Sequence, residues 1–380
     1  MRRRKVLLAA CAQAVAAGGA MASSSASDWV APSRFGRPDA SSDEGGLWAL
    51  MDREETKLRR SPFLLRDAPL RDYLQGIADK LAGEHAADVR VYPVRTPHFN
   101  ASMAPNGMMQ VWSGLLLRVD NEAQLAAVLG HEIAHYLQRH SIERLRDVKA
   151  RSAFGLFFGM LGVAGLVGQL ANTAGAFGFS RDHEREADAI GLTLMRRAGY
   201  DTREAAKVWD NLRSEVQASY GGDPGKSSPM FATHPASEER SASLSAMAAG
   251  DSGGFVGSAE FNQRLAGLQR GMLEDELRRG QFGPTLVLLE RLIARDPLRS
   301  ELLYFRGEAR RLRAGADDAE LALRDFERAM EMGHEPPEVH RSLGYMYKQR
   351  EEIDSARAAF ARYLERAPQA ADAAMIRSFL

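Results

Sequence analysis

Leu125, Val128, Leu129 and Ile133 recur at the three- and four-residue spacing of one helix face. Asp120 and Asn121 offer N-caps for that helix, and Asn121 with Gln124 resembles a capping box. A second helix is predicted between Ser180, a good N-cap, and Gly199, a good stop after Arg196 and Arg197. Its residues Ile190, Leu192 and Leu194 turn part of its surface to a core. Leu70, Tyr73, Leu74, Ile77 and Leu81 mark another helix, with Pro69 at its start and Gly83 at its end. Alternation of period two is brief. It covers Val89, Val91 and their neighbours, then Met108–Trp112 after a turn signal over residues 100–107. The pattern predicts a mostly α fold of α+β type, helical with a small edge β-sheet.

The C-terminal part repeats near 34 residues. Leu343, Gly344, Tyr347, Ala356, Phe360 and Pro368 match the tetratricopeptide pattern, and Ala322 and Phe326 lie 34 positions before Ala356 and Phe360. Gly307 precedes them with three extra residues around 314–316, and Leu289, Leu292 and Pro297 form a weaker first copy. Three repeats over 266–299, 300–336 and 337–370 would stack as an α-solenoid capped by the last ten residues, presenting a concave groove to a peptide or partner. The domain order expected is 1–22 signal peptide, 23–45 linker, 46–250 catalytic domain, 251–262 linker and 263–380 repeats.

The candidate chemistry sits on the first helix, as His131-Glu132-Ile133-Ala134-His135. Positions i and i+4 share a helix face, so His131 and His135 can grip one ion, while Glu132 points beside it and can take a proton from water. Two histidines a turn apart also fit a plain polar face, so a third ligand is needed. Ser180–Asp188 supplies one: Glu184 and Asp188 share a face of the second helix, with Glu184 as ligand and Asp188 placed to hydrogen-bond a ligand histidine. Two histidines, one glutamate and an open position define a catalytic rather than a structural Zn²⁺ site, one per chain. A metzincin pattern fails because position 141 is Ser141; His140 falls one position short and reads as an exposed polar residue near the helix end.

His-Glu-x-x-His, then Glu184 to Gly191 as Glu-x-Glu-Ala-Asp-x-x-Gly, then Thr233-His234-Pro235 with Arg240 six residues after the histidine, together resemble the family of HtpX, the CAAX prenyl proteases and the Oma-type proteases. Within it the likeness is to the soluble periplasmic branch that carries a C-terminal helical-repeat domain. The resemblance implies a helical zincin-type (gluzincin) metalloprotease domain with His131, His135 and Glu184 as zinc ligands, Glu132 as general base and Asp188 behind a ligand. It also places the His234 loop near the metal. There His234 would either stabilise the developing oxyanion or sit on zinc as a removable fourth ligand, and Arg240 would hold a carboxylate or the substrate. Residues 233–235 also read as a mere helix start. A strand over residues 108–112 would border the cleft and bind an extended substrate through its main chain; an ordinary hairpin is the alternative.

Fifty basic and fifty acidic residues balance in 380, and no basic patch points to nucleic acid. Residues 1–5 are basic, 6–19 are apolar and small, and Ala20-Met21-Ala22 fits a cleavage site, so a secreted mature chain is expected to begin at Ser23. Leu8-Ala-Ala-Cys11 is a rival lipobox that would anchor the chain through Cys11, the single cysteine. Residues 153–179 carry no charge. Because His135 and Glu184 flank them and must reach one ion, a single membrane span is excluded, leaving an apolar hairpin with at most peripheral membrane contact. The expectation is a periplasmic zinc metalloendopeptidase acting on misfolded or misassembled envelope proteins, with the repeats reaching outer-membrane assembly machinery. The alternative is a chaperone or adaptor for outer-membrane protein assembly whose protease is mostly latent.

Overall fold

The computed structural model describes residues 29–150, 179–219, 230, 234 and 238–380. The leader over 1–22 with Cys11, and nearly all of the apolar stretch 153–179, lie outside the described residues. Among the described residues no helix is long and apolar enough to cross a membrane.

Helix α1 (Asp43–Arg60) is capped by Ser42, whose side chain accepts from Gly45 N. In α2 (Ala68–Ala82) Asp67 caps Leu70 N, Pro69 stands in the first turn where its missing N–H costs nothing, and Gly83 ends the helix at φ 56. A 3₁₀ turn (Gly83–Asp88) leads into β1 (Arg90–Val94), followed by β2 (Ala101–Met103) and β3 (Met108–Trp112). The strand order is β1-β3-β2, parallel between β1 and β3 and antiparallel between β2 and β3. The run 108–112, expected to border the cleft and bind substrate through its main chain, is the central strand, paired on both sides. It is β2 that packs beside the next long helix.

Helix α3 (Ser113–Arg118) turns into α4 (Glu122–Leu137). Asn121 Oδ1 accepts from Gln124 N at 2.9 Å, as the spacing suggested, while Gln124 Oε1 accepts from Asp120 N at 2.8 Å, one residue before the N-cap. Then come α5 (His140–Ala150), α6 (Arg181–Arg197), α7 (Glu204–Gln217) and α8 (Glu238–Ala248). Ser180 Oγ caps His183 N at 3.1 Å, and Gly199 at φ 79 closes α6.

The α4–α6 pair forms the centre of the domain. The two helices touch at Gly130 and Gly191, where a Cβ on Gly191 would sit 3.1 Å from His131 N and one on Gly130 would sit 3.3 Å from Gly191 O. With no side chain between them the backbones approach closely, and the faces bearing His131 and Glu184 are brought together.

Helix α9 (Ser258–Leu265) begins inside the stretch 251–262 expected as linker. Three helix pairs follow: α10 (Gln269–Arg279) with α11 (Phe282–Arg295), α12 (Ser300–Arg313) with α13 (Asp318–Met332), and α14 (Glu338–Gln349) with α15 (Ile353–Arg366), closed by α16 (Ala373–Arg377). The repeated glycine has a local cause. A Cβ on Gly307 would meet the Phe326 ring at 2.6 Å, and one on Gly344 would meet Phe360 at 2.4 Å, so each pair seats a phenylalanine against bare backbone.

The pairs are not tethered at a distance. α10 packs on α3 and α11 on α7, and a single apolar core runs from Leu70 through to Met346. At that junction buried Arg118 donates to Glu215 (2.6 Å) and to Glu276 (2.8 Å), tying α3, α7 and α10 into one charged knot.

Candidate metal centre

His131 and His135 project from one face of α4, Glu184 from α6, and His234 enters from the segment before α8. All four are buried, and one donor atom of each lies within 4.8 Å of every other. His131 Nε2 is 3.1 Å from His135 Nε2 and 3.2 Å from His234 Nδ1. Glu184 Oε1 is 2.8 Å from His234 Nδ1 and 3.4 Å from His135 Nε2. Donors on a zinc ion at about 2.0–2.1 Å in tetrahedral array stand about 3.3 Å apart, so this set has the spacing of a zinc shell. Three imidazoles and a carboxylate converging at this spacing fit a bound cation, and the donor types are those zinc prefers. His234 Nδ1, expected near the metal from sequence, lies within the same donor group. His234 is held there by its N–H on Met230 O (2.7 Å) and by the Phe179 ring 5.1 Å away.

Behind the donors lies a second layer. His131 turns Nε2 to the cluster, and its Nδ1 lies 2.9 Å from both Asp188 Oδ1 and Arg240 Nη2, which places Asp188 to accept a proton carried on Nδ1. Arg240 donates through Nε to Asp188 Oδ2 (2.8 Å), through Nη2 to Asp188 Oδ1 (2.6 Å) and through Nη1 to Glu184 Oε2 (3.1 Å). Its guanidinium lies 3.7 Å over the Trp209 ring of α7, a buried cation–π contact.

The charges follow from this packing. Burial pushes the Glu184 carboxyl up, but His234, His135 and His131 outweigh it and hold Glu184 far below the carboxylate range. Asp188 is likewise lowered, burial being outweighed by Arg240 and His131. Burial drives His135 well below the ordinary histidine value, keeping it a neutral donor, whereas for His234 the pull of Glu184 and Glu132 exceeds burial and raises it.

Glu132 is buried beside the cluster without joining it. Its Oε1 lies 3.5 Å from His234 Nε2 and has no hydrogen-bond partner among the described residues. Burial raises its pKa against the pull of His234 and His131. An unsatisfied buried carboxylate oxygen next to a donor cluster can serve as a proton acceptor there.

Every residue singled out from sequence thus lies in one buried group: His131, Glu132, His135, Glu184, Asp188, His234 and Arg240. Thr233 and Pro235 lie outside the described residues. His140 is a correction. It is 2% exposed, not a surface residue, because the chain reverses at Arg139 (φ 59) and folds its ring back under α4. Trp209 and Phe179, which stacks on His135 at 4.1 Å, were missed. Nothing local marks either one; they reach the site only because α7 and the start of α6 pack there.

A fold with a His-Glu-x-x-His helix crossing a glutamate-bearing helix defines the zincin-like metallopeptidase class. Residues 64–248 match the family described as peptidase family M48 and form a domain of it, as the motifs had implied. Among relatives, the chain is 36% identical over 154 residues to a mitochondrial metalloendopeptidase, OMA1, of Schizosaccharomyces pombe, covering 40% of this chain and 44% of that one. It is 32% identical over 201 residues to the beta-barrel assembly-enhancing protease of Escherichia coli, covering 48% and 40%. It is 29% identical over 199 residues to a putative protein of that name from Vibrio cholerae, covering 48% and 40%. The chain therefore spans less than half the length of these curated relatives.

Proposed function

We propose that this protein is a zinc metalloendopeptidase of the bacterial periplasm that acts on misfolded or misassembled envelope proteins. The observation that carries the reading is the buried His131–His135–Glu184–His234 donor set with the unpartnered Glu132 carboxylate beside it. His131, His135 and Glu184 hold the ion, which when bound supplies Lewis acidity toward a carbonyl and toward water. Glu132 Oε1 takes a proton from the attacking water as its oxygen bonds to the scissile carbonyl carbon. Glu132 then delivers that proton to the leaving nitrogen as the C–N bond breaks. Asp188 holds His131 in the tautomer that presents Nε2, and Arg240 fixes both Asp188 and Glu184.

The substrate lies extended along β2, the strand beside α4, so that main-chain hydrogen bonds recognise unfolded chain with little sequence preference. The C-terminal helix pairs act as tetratricopeptide repeats that recruit substrate or outer-membrane assembly machinery. The names of the Escherichia coli and Vibrio cholerae relatives, beta-barrel assembly-enhancing proteases, support that setting. In the envelope the chain is delivered by the leader over 1–22, free after cleavage or anchored through Cys11. Nucleic acid is not a partner, and contact with the membrane is at most peripheral, through residues 153–179.

The test is zinc-dependent cleavage of unfolded casein by the parent and by Glu132→Gln at equal zinc content. Cleavage by the parent alone supports the reading, whereas equal cleavage by both removes Glu132 from the chemistry.

One observation favours a second reading. His234 Nδ1 fills the fourth donor position, which describes a latched enzyme, so the protein would serve mainly as a chaperone or adaptor until His234 leaves. In that state His234→Ala raises casein cleavage; a fall would sink the latch and favour an oxyanion role for His234.

A further inference from the structure

His140 is a buried titratable group that the chemistry above does not use. Its Nδ1 lies 2.9 Å from His135 Nδ1, and its Nε2 lies 3.3 Å from Glu186 Oε2. The tautomers along this path follow from one constraint. His135 presents Nε2 to the donor cluster, so its proton sits on Nδ1 and is donated to His140 Nδ1. His140 then carries its own proton on Nε2 and donates it to Glu186. Each group is used in one direction only, with no donor facing a donor.

The rings are also fixed in plane. His183 stacks on His140 at 4.2 Å and 15°, and Phe179 stacks on His135 at 4.1 Å and 27°. The Glu186 carboxylate is held in turn by Gln138 Nε2, and His183 Nε2 lies 3.2 Å from Glu143 Oε2. The layout parallels the other ligand histidine: Asp188 accepts directly from His131, while a carboxylate reaches His135 only through an interposed imidazole.

We propose that His140 and Glu186 form a positioning relay for His135, locking the tautomer and ring angle with which it binds the metal. The relay rests on the zinc reading given above. It also gives His140, five residues past His135 and one short of a metzincin ligand, a role beside the metal rather than on it.

The experiment is zinc affinity of the purified full chain by chelator competition, together with the visible spectrum of the cobalt-substituted protein. The variants are His140→Leu, His140→Asn, Glu186→Ala and Glu186→Gln. The parent must first bind one zinc that His131→Ala abolishes; failure there overturns the metal site itself, and the relay with it. Given that site, His140→Leu is expected to weaken zinc binding about 10- to 100-fold and to shift the cobalt bands. His140→Asn, whose Oδ1 can still accept from His135 Nδ1, should recover most of the loss, a rescue that a space-filling role would not produce. Glu186 is half-exposed, so its variants keep the test available if His140→Leu does not fold; Glu186→Ala should weaken binding several-fold and Glu186→Gln less. Zinc affinity of His140→Leu within about twofold of the parent, or an asparagine variant as weak as the leucine one, would overturn the relay.

Discussion

Arg240 grips Asp188 with two hydrogen bonds, Nε to Oδ2 at 2.8 Å and Nη2 to Oδ1 at 2.6 Å, with both side chains buried. Removing one partner strands the other charge away from water. Arg240→Met is expected to cost about 3–5 kcal/mol of stability, read from urea unfolding. Because Asp188 also orients His131, zinc affinity should fall about 10- to 100-fold. Arg240→Lys keeps the charge but not the fork and should recover only part of either loss. Unchanged zinc affinity in Arg240→Met would remove Arg240 from the site's support.

Gly191 faces the α4 backbone, where a Cβ would stand 3.1 Å from His131 N. Gly191→Val must push the two helices apart at the ligands themselves. A loss of about 1–3 kcal/mol is expected, with weaker zinc binding, whereas Gly199→Ala, outside the crossing, should leave zinc affinity unchanged. Calorimetry and chelator competition on both variants would check this.

The junction of the repeats with the domain turns on Arg118, flanked by Glu215 and Glu276. Arg118→Ala removes the cation that Glu215 and Glu276 share, leaving Glu215 to Arg291 (3.3 Å) and Glu276 to Arg279 (3.0 Å), and should destabilise by about 1–3 kcal/mol. Since one core spans both parts, a single unfolding transition at a lower urea midpoint is expected. Separate transitions for domain and repeats would contradict that continuity.

Glu55 gives a stability that depends on acid. Burial raises its pKa, but hydrogen bonds from Arg90, Tyr92 and Arg59 outweigh burial and hold it at about 2, against an ordinary 4.5. A carboxyl depressed on folding stabilises fully above its unfolded pKa. That contribution drains away as pH falls from about 4.5 to about 2. The difference in urea midpoint between the parent and Glu55→Gln should therefore shrink across that window and stay constant above it; a difference independent of pH would refute the assignment.

Much of the site was legible because its determinants are local. His131 and His135 share a face through helix periodicity alone, and Ser180, Asn121 and Gly199 cap by side chain or by φ, as their types require. Gly307 and Gly344 stood out by repeat spacing before any packing was visible, and the phenylalanines opposite them explain why.

What escaped was set by contacts distant in sequence. Strand order cannot be read from alternation, so the central place of 108–112, paired on both sides and closed to an added strand, was not legible. His140 looked exposed because a polar residue past a helix end has no local reason to be buried. Its burial depends on a left-handed Arg139 and on His183 arriving from another helix. Trp209 under Arg240 and the knot at Arg118 likewise require α7 and α10 to be in place. By itself the sequence determined the helices, their caps, the repeat spacing and the candidate donors His131, His135 and Glu184, since these follow from spacing along one chain. Only the tertiary structure decided which groups stand behind each candidate donor, and how close His234 comes to them, because burial and hydrogen-bond pairing are settled where separate elements meet.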